Sequence, residues 1–133
     1  MNDLLVDTHT VIWYLFEPAK LSAAATKALT DADAAGARIL VSAISLVEVR
    51  YLIEKAKIPA VVETDMGTAL DDPAEPLELV PLNRDVATAL AAIPRNLVPD
   101  MPDRILAATA LALKLPLVIC DARIQQAPIT TIW

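Results

Sequence analysis

The sequence predicts an α/β fold with a mainly parallel sheet, and three observations carry that expectation. Short apolar runs that stop at charged or turn residues alternate with stretches of helical length and pattern. The connections between those runs are long enough for the helical crossovers that parallel strands require. Hydrophobic residues make up 56% of the chain but aromatics only 4%, so the core is mostly Ala, Leu, Val and Ile, a mixture suited to helices packed closely on a sheet. The expected architecture is a three-layer α/β/α sandwich with a sheet of four to five strands. At 133 residues the chain fits one domain, residues 1–133, able to bury a core without disulfide staples.

In order along the chain, residues 3–6 read as a short apolar strand, and "THTVIWYLF" opens a helix that stops near Pro18. "LSAAATKALTDADAAG" is an Ala-rich helix with Ser22 as its cap and Gly36 as its stop. "RILVSA" is a buried strand, after which Ser42 or Ser45 caps the helix "SLVEVRYLIEKAK", ended by Pro59. Leu46, Val49, Leu52, Ile53 and Ala56 recur there at helical spacing, as a core-facing stripe does. Residues 60–71 read as a further helix, "DDPAEPLE" as a turn, and "LELVPLN" as a third strand. A helix over about residues 84–93 and the Pro-punctuated connection "IPRNLVPDMP" lead to the apolar helix "DRILAATALALK". "LPLVIC" is the fourth strand and "ITTIW" an edge strand.

The formal net charge is −6, which argues against a coat protein that binds nucleic acid through excess Lys and Arg. It does not exclude nucleic acid as a substrate. The N-terminus carries Asp3 where a secretion signal would carry positive charge, and the most apolar region, Ile105 to Cys120, is broken by Lys114 and Pro116, so a soluble cytoplasmic protein is expected. The single cysteine, Cys120, has no partner for an internal disulfide and reads as an inert buried thiol.

In parallel α/β sheets the functional crevice lies outside the carboxyl ends of the strands, and four acids fall there. Asp7 follows the first strand, Glu48 sits one turn into the helix after the second, Asp103 lies in the first turn of the late apolar helix, and Asp121 follows the fourth strand. If they converge, their mutual repulsion must be relieved by protons or cations. Hard divalent ions such as Mg²⁺ favour carboxylate and water oxygens and leave positions for phosphate. Each acid taken alone also fits a helix cap, a helix-dipole partner or a turn; the argument rests on the set. Asp100 is a supporting acid that can cap the same helix as Asp103. Thr8, His9, Ser45 and Arg104 are secondary candidates for positioning substrate or water, with capping and ion pairing as their ordinary alternatives.

The ordered pieces "LLVDTHTVIW", "VSAISLVEV", "DMPDRILAATA" and "LVICDARI", with the closing "TTIW", resemble the PIN-domain ribonucleases, and more closely the VapC toxins of bacterial toxin–antitoxin pairs. The resemblance covers nearly the whole chain. It implies an Mg²⁺- or Mn²⁺-dependent endoribonuclease in which Asp7, Glu48, Asp103 and Asp121 take the family's acidic positions, with Asp100 beside them. It also implies an RNA substrate, with transfer RNA the family-level expectation, a homodimer, and a cognate VapB-like antitoxin whose tail fills the acidic groove. "DMPDR" departs from the many relatives that have an aromatic between the proline and the aspartate, while leaving the acids in place.

Two other readings stand beside this one. A haloacid-dehalogenase-like phosphatase also opens on an apolar strand and an aspartate, but needs a second aspartate two positions later, where this chain has His9. A catalytically silent PIN-like binding module would keep the fold without the chemistry; the presence of all four acids argues against it.

Overall fold

The structure is a computed structural model that describes residues 3–133; Met1 and Asn2, the first residues of the segment read as lacking a secretion signal, lie outside the described residues. Five parallel strands run β1 (Leu4–Val6), β2 (Ile39–Ser42), β3 (Leu77–Val80), β4 (Leu117–Val118) and β5 (Thr131–Ile132), in the spatial order β3-β2-β1-β4-β5. The helices are α1 (Thr8–Phe16), α2 (Ala23–Ala34), α3 (Ala43–Glu54), α4 (Val61–Asp71), α5 (Arg84–Ala89) and α6 (Met101–Leu113). The expected α/β/α sandwich with a parallel sheet is therefore the fold.

The chain builds outward from β1 through β2 to β3, then returns to the other side of β1 to lay down β4 and β5. The gap between β1 and β4 is thus the point where strand order reverses, the place where open α/β sheets bind ligands. Alternation along the strands divides the core in two. Leu4, Val6, Ile39 and Val41 face one way, onto Val11 and Ile12 of α1, Leu29 of α2 and Met66 of α4. Leu5, Leu40 and Leu117 face the other way, onto Val86 of α5 and the Leu106–Ala107–Ala108 segment of α6. Small residues on α6 let it lie close to the sheet, the packing that the low aromatic content anticipates.

Local signals act mostly as read. Ser22 caps α2 through the Ala25 N–H at 3.0 Å, and Gly36 follows that helix at φ +74°, a left-handed conformation that glycine adopts without steric cost. Ser42, rather than Ser45, caps α3. The α3 stripe is only partly core: Val49 is buried and Leu46, Leu52 and Ile53 are half-buried, while Ala56 is exposed beyond the helix end at φ 56°. The single helix expected over 84–93 is α5 followed by a 3₁₀ turn at Leu90–Ala92. "LPLVIC" forms ladder only at Leu117–Val118, so the chain leaves the sheet before Cys120. That thiol is exposed, contrary to the expectation of an inert buried one.

Candidate active site

Four of the acids are placed by a helix start or a strand-end turn, and the fifth projects from within a helix. Asp7 leaves β1 and caps α1, accepting the Thr10 N–H on Oδ1 at 2.9 Å. Asp100 caps α6 in the same way, through the Asp103 N–H at 3.2 Å, which sets Asp103 in the first helical turn. Asp121 follows β4 in a turn where Oδ1 accepts the Arg123 N–H at 2.9 Å and Oδ2 lies 3.3 Å from the Arg123 guanidinium. Glu48 projects from the second turn of α3. These are the bland capping and turn roles that each residue type favours, and they coexist with convergence: Asp7, Glu48, Asp100, Asp103 and Asp121 all line one cavity of about 550 Å³, with Thr8, His9, Trp13, Cys120 and Arg123.

Beneath the cavity runs a hydroxyl relay that joins two sheet-end helices. Thr8 donates its hydroxyl proton to Glu48 Oε1 at 2.5 Å, and Ser45 Oγ lies 2.9 Å from Thr8 Oγ1. One hydroxyl carries one proton, so with that proton on the carboxylate, Ser45 serves as donor to Thr8. Thr8 and Ser45 are both buried, which leaves the relay as the partner of those hydroxyls and fixes how Glu48 points.

The electrostatics record the crowding. Asp103 is pushed up to about 7, first by burial and then by the charges of Asp100, Glu48, Asp121 and Asp7. Burial also raises Glu48, against the Thr8 hydrogen bond that favours its charged form, with Asp100 and Asp7 adding repulsion. Asp7 is raised by burial, opposed by its Thr10 hydrogen bonds. Asp121 goes the other way, held down chiefly by the Arg123 backbone N–H. Among the described residues, no group of three His, Cys, Asp or Glu side chains forms a ready-made metal cage; the acids stand around the cavity rather than at one point in it.

Of the secondary candidates, Thr8, Ser45 and His9 are at the site and Arg104 is not. Its guanidinium donates to the carbonyls of Ile93 at 3.0 Å and Leu90 at 2.9 Å, closing the 3₁₀ turn after α5, so it fastens that turn to α6. Residue type and proximity to Asp103 in sequence do not reveal this, because a helix turns successive side chains in different directions. His9 is exposed at the cavity rim, and it occupies the position two residues after Asp7 that a phosphatase of the haloacid-dehalogenase type would fill with aspartate. Sequence reasoning missed Trp13 as a cavity residue, although it follows His9 by one helical turn; Arg123, a basic residue expected near the acids with ion pairing as its ordinary role, lines the cavity paired with Asp121.

Comparison with known proteins agrees with this geometry. The family model described as "PIN domain" matches residues 4–129. Ribonuclease VapC22 of Mycobacterium tuberculosis is 32% identical over 125 residues, covering 94% of this chain and 92% of that protein. Among solved structures, a chain of the Rickettsia felis VapBC2 complex bound to a promoter DNA fragment superposes with a TM-score of 0.73 at 16% identity, covering 98% of this chain and 97% of that one. A toxin–antitoxin complex from Klebsiella pneumoniae gives 0.64 at 20% identity, with 98% and 96% covered. Strand order, the placement of the acids at the reversal point and these matches lead to one assignment: the chain belongs to the PIN-domain family, as a VapC-type member.

Proposed function

We propose that this protein is a divalent-metal-dependent endoribonuclease toxin of the VapC type. The observation that carries the reading is the ring of Asp7, Glu48, Asp103 and Asp121 around one cavity at the strand-order reversal. The donor set fits Mg²⁺ or Mn²⁺: every ligand is a hard oxygen, and the carboxylates stand close enough for Asp100, Glu48, Asp121 and Asp7 to add to the rise that burial gives Asp103. Mg²⁺ keeps several waters and takes only one or two carboxylates, so a wide ring suits a hydrated ion better than a tight cage would. Asp7, Glu48, Asp103 and Asp121 would hold the metal. Bound there, a divalent cation would supply Lewis acidity, making water a better nucleophile near neutral pH and offsetting charge on the attacked phosphodiester.

The chain's own contribution is preorganisation. Thr8 and Ser45 set the direction of Glu48 before any ligand arrives, Asp100 orients the first turn of α6 beneath Asp103, and Arg123 steadies Asp121. A site held by packed elements loses less to reorganisation when substrate binds. The partners that go with this reading are RNA, transfer RNA among the candidates, and a VapB-like antitoxin offering a basic side chain to the acidic cavity. A second copy of the chain is the remaining partner, and exposed Val47, Tyr51 and Met101 give it an apolar face to meet. No helix among the described residues is long and apolar enough to cross a membrane, and a cytoplasmic site of action follows from the substrate.

The test compares RNA cleavage by antitoxin-free protein in Mg²⁺ or Mn²⁺ with that of Asp7→Asn. Asparagine caps helices as well as aspartate does, so the substitution removes the charge and spares the fold. Cleavage abolished in the variant supports the site. Equal cleavage by both proteins removes Asp7 from it, and an inactive wild type across RNA substrates and both metals favours the silent binding module.

A further inference from the structure

An acidic cavity is a poor place to attract a polyanion. Arg123 is the one Lys or Arg side chain that lines it among the described residues, and that guanidinium is already engaged by Asp121. With a net charge of −6, phosphate contacts to this chain supply little of the affinity that most nucleic-acid binders take from Lys and Arg. Some other interaction must hold the strand, and one wall of the cavity offers it.

That wall is aromatic. His9 and Trp13 stand one helical turn apart on α1 with ring centroids 5.7 Å apart, and Trp13 meets Trp133 at 5.8 Å. His9 is exposed, and both it and Trp13 line the cavity beside the acids. Trp133 lies behind, packed with Trp13 on the buried cluster that covers one face of the sheet. The ring planes are tilted, by 49° between His9 and Trp13 and 55° between Trp13 and Trp133. The rings therefore brace one another as a ladder of inclined rungs, with His9 open at one end and half-buried Trp133 against the core cluster at the other. Rings held in this way lose little conformational freedom when another ring stacks on them.

We propose, resting on the endoribonuclease reading, that His9 and Trp13, buttressed by Trp133, form a stacking platform for one unpaired base of the RNA strand beside the acidic cavity. Proteins that read RNA commonly take splayed bases onto aromatic faces, and such stacking tolerates any base because every base has a π-face. The platform restricts the substrate to single-stranded segments, such as loops, whose bases are free to leave their neighbours. His9 and Trp13 are binding residues here, and Trp133 positions them.

The test uses the whole protein in Mg²⁺ with one single-stranded RNA oligomer, intact or carrying an abasic nucleotide at each position in turn. One abasic position is expected to raise KM about tenfold, in line with a single base–aromatic stack. His9→Ala is expected to raise KM for the intact oligomer similarly, with the loss falling on KM rather than kcat, and to erase the abasic effect. His9→Phe, which keeps a ring and removes the imidazole nitrogens, is expected to restore binding. An abasic penalty of equal size in wild type and His9→Ala, or a His9→Phe variant as impaired as His9→Ala, overturns the proposal. Binding is also read without turnover, because both tryptophans of the chain belong to the ladder, so quenching of intrinsic fluorescence reports the platform directly. Stronger quenching by intact than by abasic oligomer, in a protein that cleaves nothing, sustains the platform and defeats the nuclease reading. Cleavage that depends on Asp103 but is indifferent to every abasic position does the reverse. The absence of quenching by single-stranded RNA overturns the platform.

Discussion

Replacing Thr8 with valine removes one oxygen from the centre of the site and leaves the shape almost unchanged. Thr8 is 2% exposed and Ser45 is fully buried, so water does not take the place of the missing hydroxyl. The lost bond to Glu48 is of the charge-assisted kind, worth about 1.5–3 kcal/mol, and the Ser45 hydroxyl loses its acceptor at a cost of about 1 kcal/mol. Glu48 is only partly buried and can turn toward solvent, so the expected destabilisation lies near the lower end, about 2 kcal/mol at pH 7. The sign with pH follows from Glu48. Burial raises its carboxyl above 4.5 and the Thr8 hydrogen bond opposes that rise, so the variant raises it further. A carboxyl raised in the folded state costs stability as pH increases through the interval between its unfolded and folded values. Below that interval the carboxyl is protonated in both states and the penalty for losing the bond shrinks. Urea denaturation at pH 4 and pH 7 measures both effects, with Thr8→Ser as the control that keeps the hydroxyl and loses only a buried methyl, about 0.8 kcal/mol. Cleavage should fall in Thr8→Val and persist in Thr8→Ser. A Thr8→Val protein within about 0.5 kcal/mol of wild type at both pH values, with unchanged cleavage, would refute the relay as the device that orients Glu48.

Asp103 should destabilise the metal-free protein as pH rises from about 4 to about 7, because over that range the folded state holds a proton that the unfolded state has released. Asp103→Asn should therefore raise stability in EDTA at pH 8 and leave it nearly unchanged at pH 4. The full rise to about 7 corresponds to about 4 kcal/mol; solvent screening of this partly exposed group reduces the expectation to about 1–2 kcal/mol, readable by urea denaturation. Arg104→Met should cost about 2 kcal/mol through the loss of two charged hydrogen bonds to carbonyls, while kcat stays that of wild type; a kcat effect without destabilisation would return Arg104 to the site. Cys120 should react fully with an aromatic disulfide reagent in the native protein, and the bulky adduct at the cavity should block cleavage. A thiol that reacts only after denaturation would restore the buried reading.

The sheet and its site were legible where a signal is local and one-dimensional. Apolar runs of strand length, Ser22 and Asp100 as caps, and acids just after strands all announce themselves within a few residues, since caps and strand ends are short-range physics. Asp7 and Asp121 were legible because strand ends in a parallel sheet share one edge, and Glu48 and Asp103 because the crossover helices that carry them start at that same edge, so position along the chain translates into position in space. Side chains whose partners lie far off in sequence were not legible. The relay from Thr8 to Ser45 and Glu48 spans 37 and 40 residues, and each member alone reads as an ordinary helix-start residue. Arg104 was misplaced because its fate depends on where the carbonyls of a distant turn fall.

The sequence by itself determined the layer order, the parallel strands and the collection of carboxylates at one sheet edge, because hydrophobic period and capping chemistry act between near neighbours. Tertiary structure alone decided which side chains face each other across that edge. It exposed Cys120 by ending β4 early, turned Arg104 away, and set Trp133 against Trp13 beside the acids. The physical reason is that packing direction and long-range pairing depend on how helices and strands settle against one another in three dimensions, and no local run of residues encodes that on its own.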